Sequence, residues 1–274
     1  MEQTYLSRAE RAQIAMMLEV CAHPKPGNVD RCHDYESTWL EHFLASVIFS
    51  RSALEKAESR KTGIGALILE ASILTSRHCG GNTHFGAFIL LIPLIMGGTI
   101  KNATSCVRKT TVQDAIAFYQ AFAHLEVRVY ETNEEFDIHD PAVLENLSRN
   151  NVTLYDVMRY SAPHDMVARE WTTGFSLTRK AADLLFRFDG CRDAISQAFI
   201  HLLSTEPDTF IAKKFGTLAA EKTRELACRV LAGEMTAEEL DQHCIDSGIN
   251  PGSLADIMIA GIYIAIGEGW SWDV

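Results

Sequence analysis

At 274 residues and 47% hydrophobic composition, the chain is long enough to bury one large core, and no Pro/Gly/Ser-rich linker divides it, so a single domain is expected. Its formal net charge of -11 excludes a general nucleic-acid binder, because no basic face offsets the acidic excess. An anionic ligand would therefore need local Lys/Arg or a divalent cation.

Helical start signals recur along the chain. Ser7-x-x-Glu10, Thr38-x-x-Glu41, Thr111-x-x-Asp114, Thr153-x-x-Asp156 and Thr236-x-x-Glu239 each have the capping-box form before an apolar-periodic stretch. This repetition predicts an all-α protein, a bundle of roughly ten or more helices around a buried central helix. Ile14, Met17, Leu18 and Cys21 share one face of the first helix, and Leu40, Phe43, Leu44, Val47 and Ile48 share one face of the second. Residues 62–79 make a third, ending at Gly80-Gly81. The run from Phe85 to Met96 is apolar all round, too short for the roughly 20 residues of a bilayer span, and is expected to be the buried core helix, kinked or ended by Pro93. Further helices are predicted near 112–126, 141–148, 153–160, 165–171, 176–188, 193–204, 207–215, 217–232, 237–247 and 253–266. Glu126 to Tyr130 hints at strand alternation, and the acidic stretch Glu131 to Asp137 reads as a solvated loop.

Seven cysteines without a CxxC pair fit a reduced, cytoplasmic protein better than a disulfide framework, and the polar N-terminus carries no signal-peptide pattern. Neither a nucleic-acid nor a membrane partner is expected, and the sequence leaves a homodimer open.

Three polar, glycine-bearing turns stand out. His23-Pro24-Lys25-Pro26-Gly27-Asn28-Val29-Asp30-Arg31-Cys32-His33-Asp34 crowds cations, carboxylates and imidazoles into one loop held by two prolines and a glycine, which suits a phosphate or metal site. Asp30 and Asp34 lie four apart, so a helical turn after Gly27 would aim both at one Mg2+; the plainer reading makes Asp30 a cap and Asp34 a surface charge. In Gly80-Gly81-Asn82-Thr83-His84-Phe85-Gly86, the residues Asn82, Thr83 and His84 start a helix where backbone N–H groups can receive a phosphate. In Asn250-Pro251-Gly252-Ser253-Leu254-Ala255-Asp256, Ser253 sits at the last helix start and Asp256 in its first turn. A second tier comes from Asp165, Arg169 and Glu170, a dense charged segment in which Asp165 and Arg169 have ion-pair spacing. Cys21-x-His23 and Cys32-His33 match no common zinc pattern.

The three turns, in this order, resemble the triphosphoribosyl-dephospho-CoA synthase family over roughly residues 18–50, 62–98 and 245–266. With only Cys32 between Asp30-Arg31 and His33-Asp34, and Phe85 where a lysine is common, the pattern looks like the archaeal-type branch. The resemblance implies a transferase that moves the 5-triphosphoribosyl group of ATP to the 2'-hydroxyl of 3'-dephospho-CoA, releasing adenine and making a prosthetic-group precursor. It further implies Mg2+ at Asp30, Asp34 or Asp256, phosphate contacts from Lys25, Gly27, Arg31, Asn82, Thr83, His84 and Ser253, and Asp34 or His33 as the base. The rivals are transfer to another cofactor precursor, Mg2+-dependent hydrolysis of a nucleotide or ADP-ribosyl bond, and a non-catalytic nucleotide-binding protein.

Overall fold

A computed structural model describes residues 6–124 and 142–272. The strand hint at Glu126–Tyr130 and the acidic stretch Glu131–Asp137 lie outside the described residues. Sixteen α-helices and no strand occur among the described residues. In chain order they are α1 (Arg8–Cys21), α2 (Leu40–Phe49), α3 (Arg51–Ser59), α4 (Ile64–Thr75), α5 (Phe85–Gly97), α6 (Ile100–Val107), α7 (Val112–Phe122) and α8 (Val143–Arg149). They continue with α9 (Leu154–Ser161), α10 (Met166–Thr173), α11 (Ser176–Arg187), α12 (Ala194–Leu203), α13 (Thr209–Phe215), α14 (Thr217–Leu231), α15 (Ala237–Asp246) and α16 (Gly252–Gly267).

Local chemistry sets most of the starts. Four of the five capping boxes form, at Ser7/Glu10, Thr111/Asp114, Thr153/Asp156 and Thr236/Glu239. The Thr38 box does not. Its hydroxyl donates instead to the Gly80 carbonyl at 3.0 Å, and α2 begins later, at Leu40, whose N–H donates to Asp34 Oδ1 at 2.8 Å. Two helices were not expected. Ser50 separates α2 from α3, and α6 follows directly on α5, capped by the Thr99 hydroxyl.

The centre of the bundle is α5 with α16, both buried along most of their length and packed on each other. Pro93 lies inside α5, which continues to Gly97, so the proline does not end it. Helix α16 is also packed by α1 and α11, and Gly261 permits the close crossing: a Cβ there would lie 2.4 Å from the Ala181 Cβ. Phe85 is a core residue, stacked on Phe118 and edge-on to Phe122 of α7, which accounts for an aromatic residue at that position. No single helix among the described residues is long and apolar enough to cross a membrane.

Candidate functional site

The first loop leaves α1 and folds back under it. Lys25 is fully buried and donates to Glu19 Oε1 at 2.7 Å and to the Glu19 carbonyl at 3.0 Å, so the cation is already spoken for inside the protein. Burial pushes the Glu19 carboxyl up against the opposing pull of Lys25. Gly27 adopts φ +67°, and a Cβ there would fall 2.0 Å from the Ile249 carbonyl oxygen, so only glycine lets the loop meet the segment before α16. Its N–H donates to Asp241 Oδ1 of α15 at 2.9 Å.

Beyond Gly27 the loop gathers His23, Asp30, His33 and Asp241, whose ligating atoms all lie within 4.8 Å of one another. Asp30 is buried; its Oδ1 accepts the N–H groups of Cys32 and His33 at 2.7 and 3.1 Å, and its Oδ2 lies 2.7 Å from His23 Nδ1. The expected Asp30–Asp34 pair is not part of this group. Asp34 is exposed and turned to the start of α2, because the loop closes around the Asp30 carboxylate instead of turning helically. Arg31 is exposed and donates to the Cys21 carbonyl. It lines, with His23, Arg192, Trp270 and Trp272, a groove of about 200 Å³, below the roughly 300 Å³ at which small-molecule pockets usually begin.

The second turn starts α5. Asn82 Oδ1 accepts the Phe85 N–H at 3.0 Å, as a cap does. His84 is buried, with Nδ1 2.8 Å from the Ser46 hydroxyl, and burial together with the Lys25 charge pushes its imidazole down to about 3. His84 Nε2 and Thr83 Oγ1 are buried without a partner in the protein, which leaves two polar groups at the head of α5 open to a ligand.

The third turn meets the second. A Cβ on Gly86 would sit 2.0 Å from Asp256 Oδ2, and the Ala87 N–H donates to the same carboxylate, so Asp256 lies over the N-terminus of α5. Asp256 keeps part of its surface open, yet the protein mass around its carboxyl raises its pKa well above the usual range, reinforced by the charges of Glu19, Asp208 and Asp165. Asp208 is fully buried; its Oδ1 accepts the N–H groups of Phe210 and Ile211 and its Oδ2 accepts that of Leu254, which ties the start of α13 to that of α16. Burial raises Asp208 to about 6. Ser253 is buried, its hydroxyl 3.2 Å from that of Thr209.

The second-tier residues divide. Asp165 caps α10 and pairs with Lys213, while Arg169 pairs with Glu206, so the Asp165–Arg169 ion pair that their spacing allows does not form. Glu170 is buried and takes the N–H groups of Leu177 and Thr178 at 3.0 and 2.7 Å, anchoring the start of α11. Sequence reasoning did not single out Asp241 or Asp208. A carboxylate on the apolar face that Leu240 and Cys244 define in α15 was the available signal for the first.

Loop, α5 start and α16 start therefore meet as one assembly: Gly27 on Ile249, Lys25 acting on His84, Gly86 on Asp256, and Glu19 acting on Asp256. A family model of ATP:dephospho-CoA triphosphoribosyl transferases matches residues 6–274. The chain belongs to that family. It is similar to a crystal structure of a protein from Archaeoglobus fulgidus assigned as a triphosphoribosyl-dephospho-CoA synthase, with 28% identity and a TM-score of 0.70, covering 83% of this chain and 100% of that one. No curated protein matches by sequence. Family membership makes this chain a transferase that moves a triphosphoribosyl group from ATP to dephospho-CoA.

Proposed function

We propose that the acceptor is the ribose 2'-hydroxyl of 3'-dephospho-CoA, that adenine leaves from the anomeric carbon of ATP, and that this happens over the joined N-termini of α5 and α16. The observation that carries this reading is the meeting of Gly86 and Asp256 beside Lys25, Glu19 and His84. Displacement at an anomeric carbon proceeds through an oxocarbenium-like state, which needs a base for the hydroxyl, a proton for the departing base and neutralisation of the triphosphate.

Asp256 fits the proton donor. Burial and the neighbouring carboxylates favour its protonated form, and the Ala87 N–H holds it over the head of α5. Asp34 fits the base better than His33, because its carboxylate is exposed while His33 Nδ1 faces Asp241 and Asp30. Thr83 and His84 at the head of α5 receive phosphate oxygens, with Asn82 and Ser253 holding the two helix starts in place. Gly27 lets the loop approach, and Arg31 supplies an exposed cation.

Two imidazoles in the loop group suit Mg2+ poorly, since that ion prefers oxygen donors. The oxygens of the triphosphate itself, completed by waters, suit the ion better. Mg2+ there would neutralise the triphosphate.

The test is adenine release from ATP, followed chromatographically with and without 3'-dephospho-CoA. Release that depends on the acceptor and is lost in Asp256→Asn supports the reading. Equal release without acceptor identifies a hydrolase.

A further inference from the structure

We propose that His23, Asp30, His33 and Asp241 form a binding site for a transition-metal ion of the zinc class, separate from the Mg2+ that accompanies ATP. The four donors come from the loop after α1 and from α15, more than two hundred residues away in sequence, and fall within 4.8 Å of one another. Two neutral imidazoles and two carboxylates carry two negative charges, which matches a divalent ion, and imidazole ligation favours zinc-like metals over Mg2+.

The spacing agrees. Bonds of about 2.0–2.1 Å in a tetrahedron place neighbouring ligands about 3.3 Å apart. His33 Nδ1 lies 3.3 Å from Asp241 Oδ2, and His23 Nδ1 lies 2.7 Å from Asp30 Oδ2, a hydrogen bond that would open slightly as the ion took its place. All four donors lie within 4.8 Å of one another, so small side-chain shifts would bring them onto one ion.

The supporting contacts are those a metal site needs. Backbone N–H groups of Cys32 and His33 hold one oxygen of Asp30, and the Gly27 N–H holds one oxygen of Asp241. The other oxygen of each then faces an imidazole, that of Asp30 towards His23 and that of Asp241 towards His33. His33 Nδ1 is buried, lies beside two carboxylates and makes no hydrogen bond, which leaves it available to an ion in the group.

The site is tested on the full-length protein without turnover, so its failure is distinguishable from failure of the transferase reading. Chelator-treated protein is titrated with Zn2+, and with Co2+ as an optical probe. One equivalent of Zn2+ retained through gel filtration, tetrahedral visible absorption from Co2+, and no displacement by excess Mg2+ are expected. His33→Gln and Asp241→Asn should each weaken Zn2+ binding by at least ~10–100-fold. Circular dichroism checks that they remain folded, and the wild-type Co2+ spectrum decides the matter if either does not. Absence of stoichiometric retention, binding unmoved in both folded variants, or parity between Mg2+ and Zn2+ overturns the proposal.

Discussion

Asp256 lies so close over Gly86 that a Cβ on the glycine would fall 2.0 Å from its Oδ2. Gly86→Ala must push the carboxylate off the head of α5. The expected cost is about 1–3 kcal/mol of stability, the range for overpacking, with a loss in kcat larger than the change in KM for ATP. Thermal melts and steady-state kinetics on the same preparation check it; unchanged kcat would separate Asp256 from the chemistry.

Two carboxylates in different settings carry separate roles. Asp256→Asn and Asp34→Asn should each lower kcat by about 10²–10⁴-fold while leaving the helical circular dichroism intact. Asp34 contributes only a cap to the start of α2, and asparagine caps nearly as well, so its loss cannot be blamed on folding. Near-wild-type turnover in either variant removes that residue from the mechanism.

Lys25 and Glu19 form a pair that is buried on both sides. Lys25→Met leaves an uncompensated buried carboxylate and should cost about 3–5 kcal/mol, whereas the double variant Glu19→Leu/Lys25→Met should recover most of that. Denaturant titrations closing the double-mutant cycle measure the coupling. Additive single effects would mean that the two charges do not depend on each other.

The helical architecture was legible in the residues because caps and apolar periods are local. Four capping boxes and the helices from α7 onward fall within a few residues of expectation. Helix α6 was not legible, since Ile100, Thr104 and Val107 are β-branched and its start depends on Thr99. Thr38 misled for a tertiary reason, its hydroxyl being drawn to Gly80. At the site, the loop announced Asp30 and His33, but Asp241 joins them only through the fold, and the four-residue spacing of Asp30 and Asp34 meant nothing once the loop wrapped around Asp30.

His84 gives a pH signature. The fold holds its imidazole neutral down to about 3, whereas the unfolded chain takes up a proton near 6.5. Its contribution to stability is present above pH 6.5 and falls as the pH drops, by about 1.4 kcal/mol per unit. The raised carboxyls of Glu19, Asp208 and Asp256 act in the opposite sense, adding stability as the pH falls. The difference between wild type and His84→Asn isolates the imidazole: it should shrink steadily from pH 6.5 to 5. A constant difference would mean that His84 is protonated in the fold.

Transfer to the acceptor is measured most directly by the mass spectrum of 3'-dephospho-CoA recovered after incubation with ATP, Mg2+ and the protein. The acceptor should return heavier by one triphosphoribosyl group, with one adenine released per adduct. Unmodified acceptor accompanied by free ribose triphosphate, or by intact ATP alone, would contradict transfer.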